Sequence, residues 1–242
     1  MSGKDMRFAK LSIIVPVFNE LATLSKVWRQ LTYLKLSVGK EVIWVDDGSQ
    51  DGSGEFLKKQ QARRRILNVK FAYHQNNQGK GAAVARGLTL ATGDYVVIFD
   101  ADGECDIRDL VKMTNLVKER GYSVLFGTRK NSQYLYWYFY WGVRLLAGLI
   151  NWLYGQSISD PEAGMKLVRR SLFNFPITEK GFGQEIEITA KLALQGIQIE
   201  EIPVAYYPRT FAQGKKMTAK DGLRALYLVF KYRLDDFLAK FG

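Results

Sequence analysis

The sequence has almost none of the features that mark small secreted proteins. Its single cysteine, Cys105, excludes an internal disulfide framework and fits a reducing compartment. No internal repeat, low-complexity tract or Pro/Ser-rich linker separates a second folded domain. The amino end, MSGKDMRFAK, lacks the apolar core of a secretory signal. We therefore expect a cytoplasmic protein in which residues 1–242 form one domain.

Acidic residues are also too few to balance the basic ones. The chain has 35 Lys and Arg against 24 Asp and Glu, a formal net charge of +11. Such an excess predicts a polyanionic partner, which is a nucleic acid, an anionic membrane surface or a phosphorylated substrate. Because no nucleic-acid-binding motif is present, we expect no nucleic acid among the partners.

Short apolar runs alternate with helical patterns in the first half of the chain. The runs are too short for buried helices and are bounded by polar or glycine-containing turns, which favours strands. The alternation predicts an α/β fold with a mostly parallel central sheet, helices on both faces and right-handed crossovers. The predicted strands are residues 11–17, 41–46, 69–73, 95–99 and 123–126, and helical patterns fall around residues 24–34, 52–66, 81–91 and 106–119.

Carboxylates follow the fourth of these strands directly. Asp100 and Asp102 lie on one side of the pleat and Glu104 follows in the turn. Polar residues 18–20 and 46–49 end two other strands, and the carboxyl ends of parallel strands form the edge where such sheets bind ligands. Carboxylates at this spacing suggest Mg²⁺ or Mn²⁺ holding a diphosphate. The alternative is that Asp100 and Asp102 only cap a turn.

Aromatic residues concentrate in the second half. Residues 133–154 are about long enough to span a bilayer. Arg144 lies in the middle of this stretch, where a charge in lipid would cost about 3 kcal/mol. A helix or helix pair lying in the membrane interface therefore suits the pattern better, and the alternative is that it covers the protein's own core. Residues 218–242 predict a basic amphipathic helix, which packs on its own domain or on lipid.

Several sequence blocks, in matching order and spacing, resemble one enzyme family. SIIVPVFNE at 12–20, VIWVDDGSQDGS at 42–53, NQGKGAAVARG at 77–87 and GDYVVIFDADGE at 93–104 are similar to the family 2 glycosyltransferases of the GT-A fold. FGTRKNS at 126–132, DPEAGMKLVRR at 160–170 and EIPVAYYPRTFAQGKKM at 201–217 resemble the dolichol-phosphate mannose synthase (polyprenyl-phosphate glycosyltransferase) branch. The resemblance covers residues 11–217.

The resemblance implies an inverting transfer of one sugar from a nucleotide diphosphate sugar to a polyprenyl or dolichyl phosphate at the cytoplasmic membrane surface. GDP-mannose is the favoured donor, followed by a UDP-sugar. The resemblance also implies a donor-binding half at about residues 8–130 and an acceptor-binding half at about 131–217, followed by the basic helix at about 218–242. We expect peripheral attachment to the membrane, or attachment through a separate anchoring subunit.

The resemblance further assigns roles to individual residues. Catalysis falls to Asp100, Asp102 and Arg209, and metal binding falls to Asp100, Asp102 and Glu104, which stands where relatives often have Gln. Arg129 and Arg144 would grip the acceptor phosphate, as planar guanidinium groups do well. The implied nucleotide-sugar residues are Pro16, Phe18, Glu20, Asp47, Asp100, Ala101, Asp102, Arg209 and Lys215.

Each of these roles has a structural alternative. Glu20 and Asp47 could cap helix starts, and the basic loop that contains Arg209 could simply be solvated. Arg129 could form a surface ion pair, and Arg144 could be a snorkelling side chain.

The acceptor decides whether a proton acceptor is needed. A phosphate is already ionised near neutral pH, so its attack needs alignment more than a base. A hydroxyl acceptor, as in a family 2 enzyme acting on a glycan or glycolipid, would need a carboxylate such as Asp160 or Glu185. A catalytically silent basic membrane-binding module is the non-enzyme alternative.

Overall fold

The computed structural model describes residues 8–63, 67–129, 137–210, 214, 216 and 218–241. The strands are β1 Lys10–Val17, β2 Gly39–Asp46, β3 Val69–Tyr73, β4 Tyr95–Ile98, β5 Val124–Arg129, β6 Lys166–Arg169 and β7 Glu200–Val204. The helices are α1 Leu21–Tyr33, α2 Ser53–Ala62, α3 Lys80–Leu90, α4 Ile107–Arg120, α5 Trp137–Tyr154, α6 Gln184–Leu194 and α7 Ala219–Phe241. A short 3₁₀ turn, Arg170–Leu172, follows β6.

The strands form one sheet in the order β3-β2-β1-β4-β6-β5-β7. All pairings are parallel except those of β6, which runs antiparallel to both β4 and β5. Ile98 at the end of β4 lies opposite Lys166 at the start of β6. The chain that leads into β6 therefore reaches the carboxyl edge of the parallel strands. The predicted mostly parallel α/β sheet is confirmed.

Helices cover both faces of the sheet, as predicted. Consecutive strand residues point to opposite sides, so the apolar residues of one strand pack against helices on both faces. On β1, Ile13 and Val15 pack in the core cluster that contains residues of α1 and α4. Ile14 between them packs on the other face, with residues of α3. A further cluster on that second face contains residues of α5, α6 and α7.

The first five strands and the helices between them agree with the sequence prediction to within a few residues. The predicted helix at 52–66 corresponds to α2, and residues 64–66 lie outside the described part of the chain. Elements β6, α6 and β7 were not predicted. Strand β6 has only four residues with a charge at each end, and β7 contains two glutamates and a proline, so neither shows a strand pattern.

Helix α5 divides its side chains between the core and the surface. Leu146 and Ile150 are buried, whereas Trp137, Trp141 and Trp152 are 75%, 63% and 76% exposed. Residues 133–136 of the predicted aromatic stretch lie outside the described residues. Over the described parts of the chain, no helix combines the length and the apolarity needed to cross a membrane.

Helix α7 has two apolar faces. Leu228 and Val229 are buried against the domain, and Val229 accepts a hydrogen bond from the Tyr154 hydroxyl of α5 through its carbonyl oxygen at 2.6 Å. The other apolar face is exposed and consists of Leu223, Tyr227, Phe230, Leu234, Phe237 and Leu238. The predicted basic amphipathic helix is therefore present, and it packs on its own domain while leaving an apolar stripe uncovered.

Candidate active site

A cavity of about 380 Å³ lies at the carboxyl edge of the sheet, where β1, β2, β4 and β5 end. Its volume falls within the range of small-molecule sites, about 300–1,000 Å³. Eleven of the residues singled out in the sequence line it: Pro16, Phe18, Glu20, Asp47, Asp100, Ala101, Asp102, Glu104, Arg129, Glu185 and Arg209. Asp160 does not line the cavity but pairs with Arg129, which does. Arg144 is exposed on α5, and Lys215 lies outside the described residues.

Carboxylates that follow β4 give the cavity an acidic floor. Burial raises the pKa of Asp102 to about 7, and the neighbouring charges of Asp100 and Glu104 act in the same direction. The backbone N–H of Glu104 donates to Asp102 at 3.0 Å, which fixes the turn between them. This excess of negative charge fits a divalent cation.

The side chains themselves do not form a complete set of metal ligands. Among the described residues, no three His, Cys, Asp or Glu side chains are arranged to hold an ion. Asp100 is instead paired with Lys80, whose ammonium lies 2.8 and 3.0 Å from its two carboxylate oxygens. Asp102 and Glu104 are instead in contact with Arg209 and Tyr206, and a bound diphosphate would supply further oxygens to an ion held by them. Metal binding by Asp100, Asp102 and Glu104 stays a prediction.

The segment after β7 lies across the acidic floor. The Arg209 guanidinium pairs with Glu20 at 2.8 Å and with Asp102 at 3.3 Å. Its backbone N–H donates to Glu104 at 2.8 Å. Tyr206 donates from its hydroxyl to Glu104 at 2.5 Å. Basic groups that could meet a diphosphate are therefore already held beside the carboxylates.

Lys216 extends this arrangement towards Phe18, which follows β1. Its ammonium pairs with Glu20 at 2.6 Å, donates to the Phe18 carbonyl oxygen and lies 5.5 Å from the centre of the Phe18 ring. Glu20 is thus an ion-pair partner, and its side chain makes no capping hydrogen bond at the start of α1.

Asp47 organises the loop that leads into α3. Its carboxylate accepts hydrogen bonds from the backbone N–H groups of Gln78 at 3.0 Å and Gly79 at 2.7 Å, and it lies 2.6 Å from His74 Nδ1. The two amides belong to the residues just before α3 and not to its first turn, so Asp47 ties this loop to the end of β2 while it also lines the cavity. The helix-capping alternative for Asp47 is therefore wrong.

A chain of buried ion pairs closes the deep end of the cavity. Lys80 pairs with Glu185 at 3.0 Å as well as with Asp100, and Glu185 also pairs with the fully buried Lys166 at 2.5 Å. Burial acts to raise the pKa of Glu185, but the two lysines outweigh it and hold that pKa below its ordinary value. Glu185 is therefore a poor proton acceptor.

Asp160 is committed in a similar way. Arg129 donates to it from Nε and Nη2, both at 2.7 Å, in a bidentate pair. Burial opposes ionisation, yet Arg129 keeps the pKa of Asp160 below its ordinary value. Asp160 thus anchors the turn beside the cavity. Arg129 still lines the cavity.

Lys80, Glu162 and Tyr206 are among the lining residues that had no role assigned from the sequence. Lys80 belongs to the glycine-containing segment NQGKG, whose position at the start of α3 and at the ligand edge could have indicated it. Glu162 and Tyr206 lie within blocks that carry the family resemblance, but neither spacing nor composition distinguishes them. Their contacts depend on elements that are far apart in sequence.

The chain is similar to known proteins in sequence. Residues 12–175 match the family described as glycosyl transferase family 2. The undecaprenyl-phosphate 4-deoxy-4-formamido-L-arabinose transferase of Edwardsiella ictaluri is 30% identical over 164 residues, which are 67% of this chain and 50% of that protein. The chain thus spans about half the length of this curated relative.

Solved structures share the fold. Glucosyl-3-phosphoglycerate synthase from Mycobacterium tuberculosis, in complex with Mn²⁺, UDP and glucosyl-3-phosphoglycerate, is 18% identical with a TM-score of 0.65, covering 93% of this chain and 80% of that one. Residues 1–349 of S. aureus TarS, in complex with UDP-GlcNAc, are 20% identical with a TM-score of 0.60, covering 92% and 66%. These likenesses confirm the predicted GT-A fold. Because the sequence match extends over more than half of its length, the chain belongs to glycosyl transferase family 2.

Proposed function

We propose that the protein transfers one sugar, with inversion, from a nucleotide diphosphate sugar to a polyprenyl phosphate at the cytoplasmic face of a membrane. GDP-mannose is the first donor to test and a UDP-sugar the second. The observation that carries the proposal is the exposed aromatic face of α5, with Trp137, Trp141 and Trp152, on the same domain as the central cavity. Exposed tryptophans are typical of proteins that contact lipid headgroups. The relative from Edwardsiella is named for undecaprenyl phosphate, which supports this class of acceptor.

Helix α7 supports attachment to an anionic membrane surface. Its exposed apolar residues Leu223, Tyr227, Phe230, Leu234 and Phe237 recur every three or four positions, as on one face of a helix. Basic residues Lys220, Arg224, Lys231 and Arg233 accompany them. Apolar burial and attraction to anionic lipids would act together, and the net charge of +11 favours the same surface.

The donor end of the cavity fits a nucleotide diphosphate. Phe18 and Asp47 line the part proposed for the base and ribose. Arg209 and Lys216 would exchange part of their pairing with Glu20 for contacts to phosphate oxygens. Mg²⁺ or Mn²⁺, held by Asp102 and Glu104 when bound, would neutralise charge on the departing nucleoside diphosphate.

The acceptor end fits a nucleophile that is already ionised. The two carboxylates considered as bases, Asp160 and Glu185, are ion-paired and have lowered pKa values. A phosphate acceptor needs neither of them, because it attacks as an anion once it is aligned. Arg129 lines this end and would contact the phosphate while keeping Asp160 as its partner.

Transfer of radiolabel from GDP- and UDP-sugars into an organic-extractable polyprenyl phosphate tests the proposal. We expect label in the lipid phase with Mg²⁺ or Mn²⁺, loss of label with a chelator, and loss in Asp102→Asn. Glu119→Gln, which changes an exposed carboxylate at the end of α4, is the matched control and should retain full transfer. Donor binding without any labelled lipid would contradict the phosphate acceptor and favour a hydroxyl acceptor.

A further inference from the structure

One carboxyl group in the central cavity has no hydrogen-bond or salt-bridge partner among the described residues. It belongs to Glu162, which lines the cavity and lies in residues 160–165, which lead into β6. Neither of its oxygens is a fully buried atom without a partner, so both face the open cavity, where a ligand that donates a hydrogen bond can reach them.

The turn that carries Glu162 is held rigidly on both sides. Arg129 fixes Asp160 through the bidentate pair, and Glu201 accepts hydrogen bonds from the backbone N–H groups of Ser159 and Asp160 at 2.9 and 3.2 Å. Lys166 donates to the carbonyl oxygens of Pro161 and Ala163 at 2.8 and 3.0 Å. The position of Glu162 is therefore fixed by its neighbours, as binding residues require.

Within the described part of the chain, the cations near Glu162 are paired with other carboxylates. Arg129 is paired with Asp160, Lys166 with Glu185, and Lys80 with both Asp100 and Glu185. Burial raises the pKa of Glu162, and the partial compensation by Arg129 does not reverse it. The Glu162 carboxyl group itself would repel a phosphate, whereas it would accept a hydrogen bond from a neutral donor.

The cavity therefore has two chemically different ends. Arg209 lies over Asp102 and Glu104 and Lys216 pairs with Glu20, and a diphosphate fits at this end. Glu162, Glu185 and the Lys80–Asp100 pair lie at the other end, with hydrogen-bond acceptors and one ammonium. Sugar hydroxyl and amino groups are the part of a nucleotide sugar that such a surface would bind.

We propose that Glu162 recognises the transferred sugar by accepting a hydrogen bond from one of its hydroxyl or amino groups. The inference rests on the proposed use of a nucleotide-sugar donor. A site that hydrogen-bonds a particular hydroxyl discriminates strongly against analogues that lack it, because the protein group is then left unpaired. Glu162 is thus a specificity-determining residue for the sugar and has no role in binding the nucleotide.

The test compares binding of a nucleoside diphosphate with binding of the matching nucleotide sugar. Isothermal titration with UDP and UDP-glucose, and with GDP and GDP-mannose, identifies the pair that the wild-type protein binds. Glu162→Leu should lower the affinity for the nucleotide sugar about tenfold and change the affinity for the nucleoside diphosphate less than about twofold. Glu162→Gln, which keeps one acceptor oxygen, should fall between, and Glu119→Leu, at an exposed site, should match the wild type. Unchanged thermal unfolding of each variant would show that the fold is retained.

Donors that lack single hydroxyl groups provide a second arm. The wild type should bind one of these deoxy donors more weakly than the complete donor. Glu162→Leu should bind that deoxy donor and the complete donor equally well, as a double-mutant cycle expects for groups in contact. Additive losses would overturn the inference. The inference would also be overturned if Glu162→Leu bound the nucleoside diphosphate and the nucleotide sugar with equally reduced affinity, or bound both as the wild type does.

The remaining outcomes separate this inference from the proposed function. If donor binding is unchanged in Glu162→Leu but transfer is lost, the carboxyl group acts on the acceptor and the inference is overturned while the enzyme class stands. If the wild type binds no nucleotide and no nucleotide sugar, the proposed function fails and the inference fails with it.

Discussion

Replacing Lys166 by methionine should destabilise the protein strongly although the two side chains are similar in length. The ammonium of Lys166 is fully buried at the start of β6. It forms a 2.5 Å ion pair with Glu185 and donates to the carbonyl oxygens of Pro161 and Ala163. Methionine would keep the aliphatic packing and remove all three hydrogen bonds.

The size of the effect follows from what the substitution leaves behind. Removing one partner of a buried ion pair costs about 3–5 kcal/mol, because the other charge stays buried. Glu185 would still have Lys80 at 3.0 Å, which places the expected loss near the lower limit, at about 3 kcal/mol. For a domain of this size, such a loss lowers the melting temperature by about 6–12 °C.

Urea-induced unfolding of Lys166→Met, followed by fluorescence and circular dichroism, measures this loss. Lys112→Met is the control, because the Lys112 side chain is 61% exposed and its ammonium makes a long contact of 3.5 Å with the Asp109 carboxylate. Exposed pairs of this kind contribute about 0–1 kcal/mol. Adding Glu185→Gln to Lys166→Met should recover part of the stability, since it removes the charge that the first change leaves in excess. A loss below about 1 kcal/mol in Lys166→Met would refute the reasoning.

Three further changes test other parts of the structure. Burial acts to raise the pKa of Glu41, but hydrogen bonds to its carboxylate outweigh this and hold the pKa well below the ordinary value. The stability that the ionised Glu41 contributes is therefore present above about pH 4.5 and is lost as pH falls. The unfolding free energies of wild type and Glu41→Gln should differ most at neutral pH and converge in acid, and a difference that does not change with pH would contradict this. At Gly48, where φ is +71°, a Cβ would lie 2.6 Å from the Asn76 carbonyl carbon. Gly48→Ala should therefore lower both the melting temperature and the affinity for nucleotide. If neither value changed, the close packing of the loop at Gly48 against the loop at Asn76 would be contradicted. Trp141→Ser should weaken sedimentation with anionic vesicles and leave nucleotide binding in solution unchanged; equal sedimentation would remove α5 from the proposed membrane surface.

The sequence predicted strands β1 to β5 because each is a short apolar run between turns. It failed at β6 and β7 because their charges and proline hide the pattern. Lys166 occupies a fully buried strand position that an apolar residue would normally fill, and the distant Glu185, together with the carbonyl oxygens of Pro161 and Ala163, makes that possible. Tertiary contacts of this kind override local patterns.

The candidate site was predictable to the same extent. Carboxylates at strand ends, such as Asp102, follow from the alternation of strands and helices, and the structure brings them into one cavity. Their partners do not follow from it. Lys80 and Asp100 are 20 residues apart, and Tyr206 and Glu104 are 102 residues apart. Neither pair has a local spacing signal, so these two contacts emerge only from the fold, whereas Arg129 and Arg209 were indicated by the family resemblance.

The reversed direction of β6 has a consequence for how such an enzyme diversifies. Asp47, Asp100 and Asp102 follow β2 and β4, whereas Glu162 lies on a separate loop that enters the same cavity ahead of the antiparallel strand. A change at position 162 alone would leave the pairing of β1, β2 and β4 untouched, and also the contacts of residues 159 and 160 with Arg129 and Glu201. Under the proposed role of Glu162, substitution at this one position is therefore a route to new sugar selectivity with the rest of the cavity unchanged.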